Sequence, residues 1–515
     1  MADFYTKLNG KIDRRSPQGE GKPEDPIDRE NWLSRDGVLK KPQGTELILA
    51  SAISGRFTWM ARYYTIETGA VQPKTFGYTQ DGKLWYINEQ AGTATEIKSG
   101  LGLNAYPKSW TYKIGTQTKL YLVDGTNLYK YDGNNDNKFD KITILDADGD
   151  TINPIDVIEH KDRLCLLSTT TIFVSKNLDP ETFSDATDSI DIVVGSGKGK
   201  NYRFGKIEDR LYIFNTEGIF VLSGDVISAL AISFEVRLIE EKRIIAGGSL
   251  YKVERAILYI NDDYNLWSFD GNSSQKLSHS EKLEDYVNTY RVQLDKMVAT
   301  YYNNYYMLSF VEKGQYFNNL EVWWDAFENK IDFVRGRNVS CYMSTDTNQE
   351  QKFLLLGHSD INNVSWADRG YKFGEKEISS RVRTRDITVK KGQNVRFPAF
   401  YPEFQPIGNY TVEIQYFLDG RSSNFSSTPD ALGQYPSEFI GVNQSIQGEI
   451  IRFGDLNIGN QNQTIDRVRP RINYSKGTSI AFLIKDDTKD KRVDLLGIGI
   501  DYILKDKKKG KTIGA

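Results

Sequence analysis

Chemistry in this chain would have to come from its carboxylates, because its 515 residues carry 69 Asp and Glu against three His and two Cys. Close pairs such as Asp325 with Glu328, or Asp262 with Asp263, are the residue types that glycoside cleavage divides into a general acid and a base or nucleophile. The distance between two carboxyls in space decides that role, and spacing along the chain does not fix it. Trp323-Trp324 offers rings of the kind that stack on sugars. Adjacent strand positions face opposite sides of a sheet, so at least one of the two rings is assigned to packing.

Two acidic stretches invite a calcium reading. Asp146, Asp148 and Asp150 in DADGDT, and Asp132, Asn134, Asp136 and Asp140 in DGNNDNKFD, alternate oxygen ligands as an EF-hand loop begins. Both lack the bidentate Glu at the twelfth loop position, where Val157 and Thr143 stand, so polar turns between strands are the expectation. His160, His279 and His358 lie in different parts of the chain and are read as structural or surface residues. The sequence contains no GxSxG, HExxH, P-loop or CxxC motif, so serine, metal and nucleotide chemistries lack motif support. Cys165 and Cys341 sit in apolar runs, LCLLS and VSCYMS, and read as buried free thiols. The turn in YTQDGKLW, from Tyr78, resembles the aspartate box of sialidases, but its spacing differs and it does not recur. No enzyme activity, cofactor or metal is expected.

The elements that would position any site are written as a repeat. In TKLYLVDGTNLYKYDG, Thr118 to Gly133, an apolar strand meets a turn at Asp124-Gly125 and a second strand follows. Counterparts are KLWYINEQ from Lys83, RLCLLSTTTIFVS from Arg163, RLYIFNTEGIFVLSG from Arg210 and AILYINDDYNLWSFDG from Ala256. YYMLSF from Tyr305 with LEVWWD, and FLLLGHSDINNVSWAD from Phe353, complete seven copies. With Leu84, Leu120, Leu164, Leu211, Ile257, Tyr305 and Phe353 aligned, the steps are 36, 44, 47, 46, 48 and 48 residues. A period of about 40–50 residues in all-β units, with room for about four strands each, predicts a β-propeller of about seven blades.

Composition agrees with a folded β protein, with aromatics at 12% of residues. A formal charge of −3 and a pI near 5.9 argue against a body built to grip nucleic acid through its phosphates. KDKKKGK, from Lys505, reads as a solvated basic tail over 507–515. No apolar leader and no 18-residue apolar run is present, so synthesis in a cytoplasm without membrane insertion is expected.

Residues 1–44 are punctuated by Pro17, Pro23 and Pro26 and are too poor in apolar residues to fold alone, so they read as an extended arm. Within it Trp32 and Leu33 are an apolar anchor, Asp36-Gly37 a turn, and Val38-Leu39 a strand start. The propeller is expected over 45–376. Seven strand candidates over 377–506, several alternating strictly as in Thr411 to Tyr416, predict a β-sandwich interrupted by a long polar loop at 421–447.

The segment from Leu8 to Gly44, with NWLSRDGVLKKPQG at its end, and repeats of the type DRLYIF…GIFVLSG resemble the propeller-bearing tail hub, nozzle or "DNA stabilisation" proteins of tailed bacteriophages. The resemblance covers roughly residues 8–375. It implies a structural virion subunit forming a ring, commonly six-fold, below the portal and adaptor, with DNA passing through and not tightly bound. It also implies that the arm (Trp32, Leu33, Val38, Leu39) and the 421–447 loop (Asn424, Phe425) meet neighbouring copies. The rival expectation is a carbohydrate-binding or glycoside-cleaving propeller.

Overall fold

Short turns with left-handed residues fold the repeat back on itself. Lys161-Asp162, Glu208-Asp209, Glu254-Arg255 and Asn303-Asn304 each join the first and second strands of a sheet, and φ is positive at Asp162, Glu208, Glu254, Asn303 and Asn304. The computed structural model describes residues 2–12, 22–67, 70–114, 117–133, 137–185, 188–224, 226–228, 231–232, 234–277, 283–345, 352–389, 393, 395–404, 412–418, 439–440, 476–486, 492 and 494–504. They form two compact units: Thr45–Asn329 with Arg335–Asp368, and Met1–Gly44 with Lys330–Val334 and Arg369–Ala515. Both are almost entirely antiparallel β. Helix among the described residues is limited to single turns such as Arg291–Leu294, and no helix is long and apolar enough to cross a membrane.

Among the described residues the first unit is a succession of seven larger sheets, with a two-stranded ribbon, Val226–Ser228 paired with Ala231–Ile232, beside them. They begin with the strands Phe57–Glu67, Lys108–Ile114, Asp156–His160, Asn201–Ile207, Tyr251–Val253, Val298–Tyr302 and Val339–Thr345. The first five are meanders of four strands, and the sixth contributes three strands to this unit. The predicted hairpins are the second and third strands, as in Gln117–Val123 paired with Leu128–Tyr131. The opening copy departs from the others: Leu84 lies on a third strand, Lys83–Asn88, and the second strand is Ala70–Thr79. That displacement explains the short first step of the repeat.

The seventh sheet draws on both ends of the unit. Val339–Thr345, Phe353–His358 and Val364–Ala367 are followed by Thr45–Leu47, with Ser365 opposite Leu47 and Ala367 opposite Thr45. Its apolar face shares a core with the first sheet, where Phe57, Met60 and Ile87 meet Cys341, Leu355 and Val364. Equivalent clusters lie between the first and second, second and third, third and fourth, and fourth and fifth sheets.

Polar ties repeat the same order. The Tyr63 hydroxyl donates to Thr118 O at 2.5 Å, Tyr112 to Asp162 O at 2.7 Å, and Tyr212 to Gly271 O at 3.1 Å. Phe204 N–H donates to buried Asp156, Tyr306 to Ser249 O, Ser309 to Val339 O, and Ser340 to Phe57 O at 2.5 Å. Every junction between consecutive sheets, and that between the last and the first, thus carries a side-chain hydrogen bond.

The second unit contains two sheets that share one core. One includes Leu33–Arg35, Val38–Lys40, Asp494–Leu504 and Val395–Phe404, with Ala2–Lys7 also paired to Asp494–Leu504. The other orders Asp28–Glu30, Ser380–Arg383, Ile480–Asp486, Val412–Leu418 and Phe439–Ile440. Phe400 and Ile498 from the first sheet cluster with Ile414, Tyr416 and Phe482 from the second. Ile414 and Tyr416 confirm the inward alternation; the strand candidates from Glu449 and Arg467 lie outside the described residues.

The segment read as an extended arm pairs its strands into this unit. It lacks apolar residues for a core of its own, and its strands borrow one by pairing with C-terminal strands. Asp36-Gly37 closes the hairpin between Leu33–Arg35 and Val38–Lys40, both residues having positive φ. Two ion pairs with fully buried side chains fasten it. Arg29 pairs with Asp332 and also donates to Gly10 O at 2.8 Å, while Ser34 N–H donates to the other Asp332 oxygen. Lys41 meets Asp486 at 2.8 Å.

Burial pushes the Asp332 carboxyl upward and Arg29 opposes it, so the pair carries a desolvation cost that only intact partnership offsets. Arg29→Ala, which strands a buried carboxylate, is expected to lower unfolding free energy by about 3–5 kcal/mol in urea titration. The double change Arg29→Met with Asp332→Leu is expected to recover most of that loss.

Candidate functional site

The seven first strands begin at the same end of the first unit and surround a cavity of about 630 Å³. Arg56, Phe57 and Thr58 enter it from the first sheet, Tyr106 and Lys108 from the second, and Ile155 from the third. Asn201 and Tyr202 come from the fourth, the Gly247-Gly248 backbone from the fifth, Arg291 to Lys296 from the approach to the sixth, and Ser340 from the seventh. At Gly248 an added Cβ would lie 1.7 Å from Met297 O, so only glycine allows this close approach. A concave, mixed polar and apolar space of this size lies in the range of about 300–1,000 Å³ usual for ligand sites.

Its charge is one-sided. Arg56, Lys108, Lys200, Arg291 and Lys296 line it, and among the described residues Asp295 is the single lining carboxylate. Asp295 is engaged by Arg291 at 2.6 Å, and Arg291 also donates to the Tyr202 hydroxyl and Ile245 O. Lys296 donates to Tyr316 O at 2.6 Å. Arg56 and Lys108 make no side-chain hydrogen bond or ion pair with any described residue.

Burial, with a neighbouring cation second, lowers two of these lysines. Burial, then the charge of Arg203, push the Lys108 ammonium down to about 7, while Asp156 partly counters them. Burial and then Arg56 lower Lys296 as well. Tyr316, Tyr290, Val292 and Leu103 stand exposed in the segments that line or border the cavity, Tyr316 at 79%.

The residues singled out from sequence go elsewhere. Asp325 caps its own turn, accepting from the N–H groups of Phe327 and Glu328, and Asp263 accepts from Asn265 N–H. Trp323 is buried under Arg337, which lies 4.9 Å from its ring centre, and Trp324 is buried and donates to Asn329, so both rings pack. Asp146 accepts from the N–H groups of Asp148 and Asp150 in a tight turn; residues 134–136 of the other acidic stretch lie outside the described residues. His358 is buried between Arg337 O and Ser365, and Thr79 accepts from Trp85 beside Asp81 in the aspartate-box-like turn. Both cysteines are free and buried, and burial pushes each thiol up to about 12.

Trp32, Leu33, Val38 and Leu39 are all buried, with Trp32 and Leu39 in the core of their own unit. Asn424 and Phe425 lie outside the described residues. The cavity residues escaped the sequence reading because it was anchored on second strands. The available signal was a cation just before or within several first strands, Arg56 before Phe57–Glu67 and Lys108 opening Lys108–Ile114.

No family model and no curated protein matches this chain. Among solved structures, the crystal structure of the computationally designed Ika8 protein aligns over 100% of its own length and 63% of this chain, at 11% identity and a TM-score of 0.37. At that score the likeness carries no argument.

Lys108 gives the cavity a pH signature. An unfolded lysine titrates near 10.5, so between about pH 7 and 10 the unfolded state binds more protons and stability rises with pH. The destabilisation is fully present below pH 7. Lys108→Met is therefore expected to be more stable than the parent at pH 6, and the difference in urea midpoint should narrow steadily toward pH 10.

Proposed function

We propose that this chain is a structural, non-catalytic subunit of a bacteriophage tail, a ring-forming hub or nozzle component through which DNA passes without tight binding. In this reading the seven sheets are blades of a β-propeller, and the two sheets of the second unit form a β-sandwich. The observation that carries the propeller is closure, since the last sheet takes its fourth strand from Thr45–Leu47, at the start of the unit, and shares a core with the first.

Two further features support a structural role. Among the described residues the axial cavity presents one carboxylate, already held by Arg291, and not the pair of acids that glycoside cleavage divides between two roles. The stretch that resembles tail proteins uses Lys41, from its basic pair, for a buried ion pair with Asp486, which gives that residue a constructional purpose. The net charge of −3 suits a conduit along which phosphates slide. Assembly would take place in the host cytoplasm, with portal or adaptor rings as partners.

Negative-stain electron microscopy with mass photometry tests this reading, on the chain alone and mixed with portal and adaptor proteins. Rings with rotational symmetry and an open centre, six-fold first among them, are expected. A monomer at every concentration and with every such partner would overturn the assignment.

A further inference from the structure

Tail assembly gives the cavity no task, and its lining is specialised in a way that packing does not require. Burial lowers both Lys108 and Lys296, with Arg203 adding to the first and Arg56 to the second, so charge is held here at a cost that an apolar lining would avoid. Arg291 and Lys296 are satisfied by protein atoms and Lys200 lies 5.7 Å from the Tyr202 ring centre, whereas Arg56 and Lys108 donate to no described residue. Two uncommitted donors, one a planar fork and the other a compact ammonium, are the complement of a carboxylate, sulfate or phosphate oxygen.

The rest of the lining narrows the ligand. A bare inorganic anion would use the cations and leave Tyr106, Tyr316 and Gln80 without a role. Those side chains offer aromatic faces and an amide group, which is what a ring bearing several hydroxyls requires. A nucleic acid fits less well, because the cations are confined to a cavity and not laid out in a stripe, and the whole chain is net negative.

We propose that the cavity where the seven first strands converge binds an acidic glycan, its carboxylate held by Arg56 and Lys108 and its sugar rings set against Tyr106 and Tyr316. The site binds and does not cleave. It stands whether or not the chain assembles into tail rings.

Groups that set the charge of Lys108 are Arg203 and Asp156 on the neighbouring fourth and third sheets, together with Cys341 on the seventh. Below pH 7 the ammonium is charged and available to the carboxylate; above it the attraction fades.

The test is calorimetric titration of the full chain with a glucuronic-acid-containing disaccharide, its neutral glucose counterpart, sulfate and a single-stranded oligonucleotide, at pH 6 and pH 8.5. The acidic disaccharide is expected to bind about tenfold or more tighter than the neutral one, and more tightly at pH 6. Arg56→Gln and Lys108→Met should each weaken the acidic sugar about tenfold, leave the neutral sugar unchanged and keep a single cooperative melting transition, with a midpoint for Lys108→Met no lower than the parent's. Equal affinity for acidic and neutral sugars, or no binding of the acidic one at 10 mM (roughly the weak limit for such sites), would overturn the proposal. So would sulfate or the oligonucleotide binding as tightly as the acidic disaccharide with the same loss in both variants, since the site would then recognise charge alone.

Discussion

Everything in the larger unit depends on one short antiparallel pairing, that of Thr45–Leu47 with Val364–Ala367. Without it Val364–Ala367 would be left an unpaired edge, and the junction between last and first sheets would rest on the core around Phe57 and Leu355 and on the Ser340 hydrogen bond alone. Neighbouring contacts reinforce the pairing: the Asn363 amide accepts from Leu49 N–H and donates to Leu49 O, across 314 residues of sequence. The entropic cost of closing so long a loop grows only logarithmically, by about 0.6 kcal/mol for each doubling of length. A three-residue strand and a bidentate amide are therefore adequate to hold the two ends together once the sheets between them have formed.

The cavity is a consequence of that closure. Its cations come from sheets scattered between Arg56 and Lys296, and they are neighbours only because the first strands stand next to one another. The same logic explains where the fold accepts buried charge. Arg29 with Asp332 and Lys41 with Asp486 are paired within hydrogen-bond range, so their burial fixes the path of the N-terminal segment. Among the described residues Arg56 and Lys108 have no such partner, and the Lys108 ammonium, lowered first by burial, marks a site and not a core.

Much of the architecture was legible in the sequence because hairpins are local. Strand pairs such as Arg210–Asn215 with Gly218–Ser223 announce themselves through apolar runs broken by a turn, and the spacing of these pairs gave the number of sheets. The first copy went out of step because Lys83–Asn88 reads like a second strand although it is a third. The N-terminal segment was harder to read. Trp32 and Leu39 look like anchors for a partner, and only the fold reveals that their partner is Phe482 and its neighbours more than 400 residues away by number. The cavity was least legible, since single cations far apart in sequence carry no local pattern. Asp325 and Trp323, conspicuous as residue types, are occupied by a turn and by packing.

Amide hydrogen exchange under native conditions tests the central claim most directly, read at Leu47, Ser365 and Ala367 against the inner strands of the other sheets. If closure governs the unit, these short pairings exchange only through global opening and share its free energy with strands such as Arg163–Leu167. Rapid local exchange at Thr45–Leu47 and Val364–Ala367, with the remaining sheets still protected, would contradict the account.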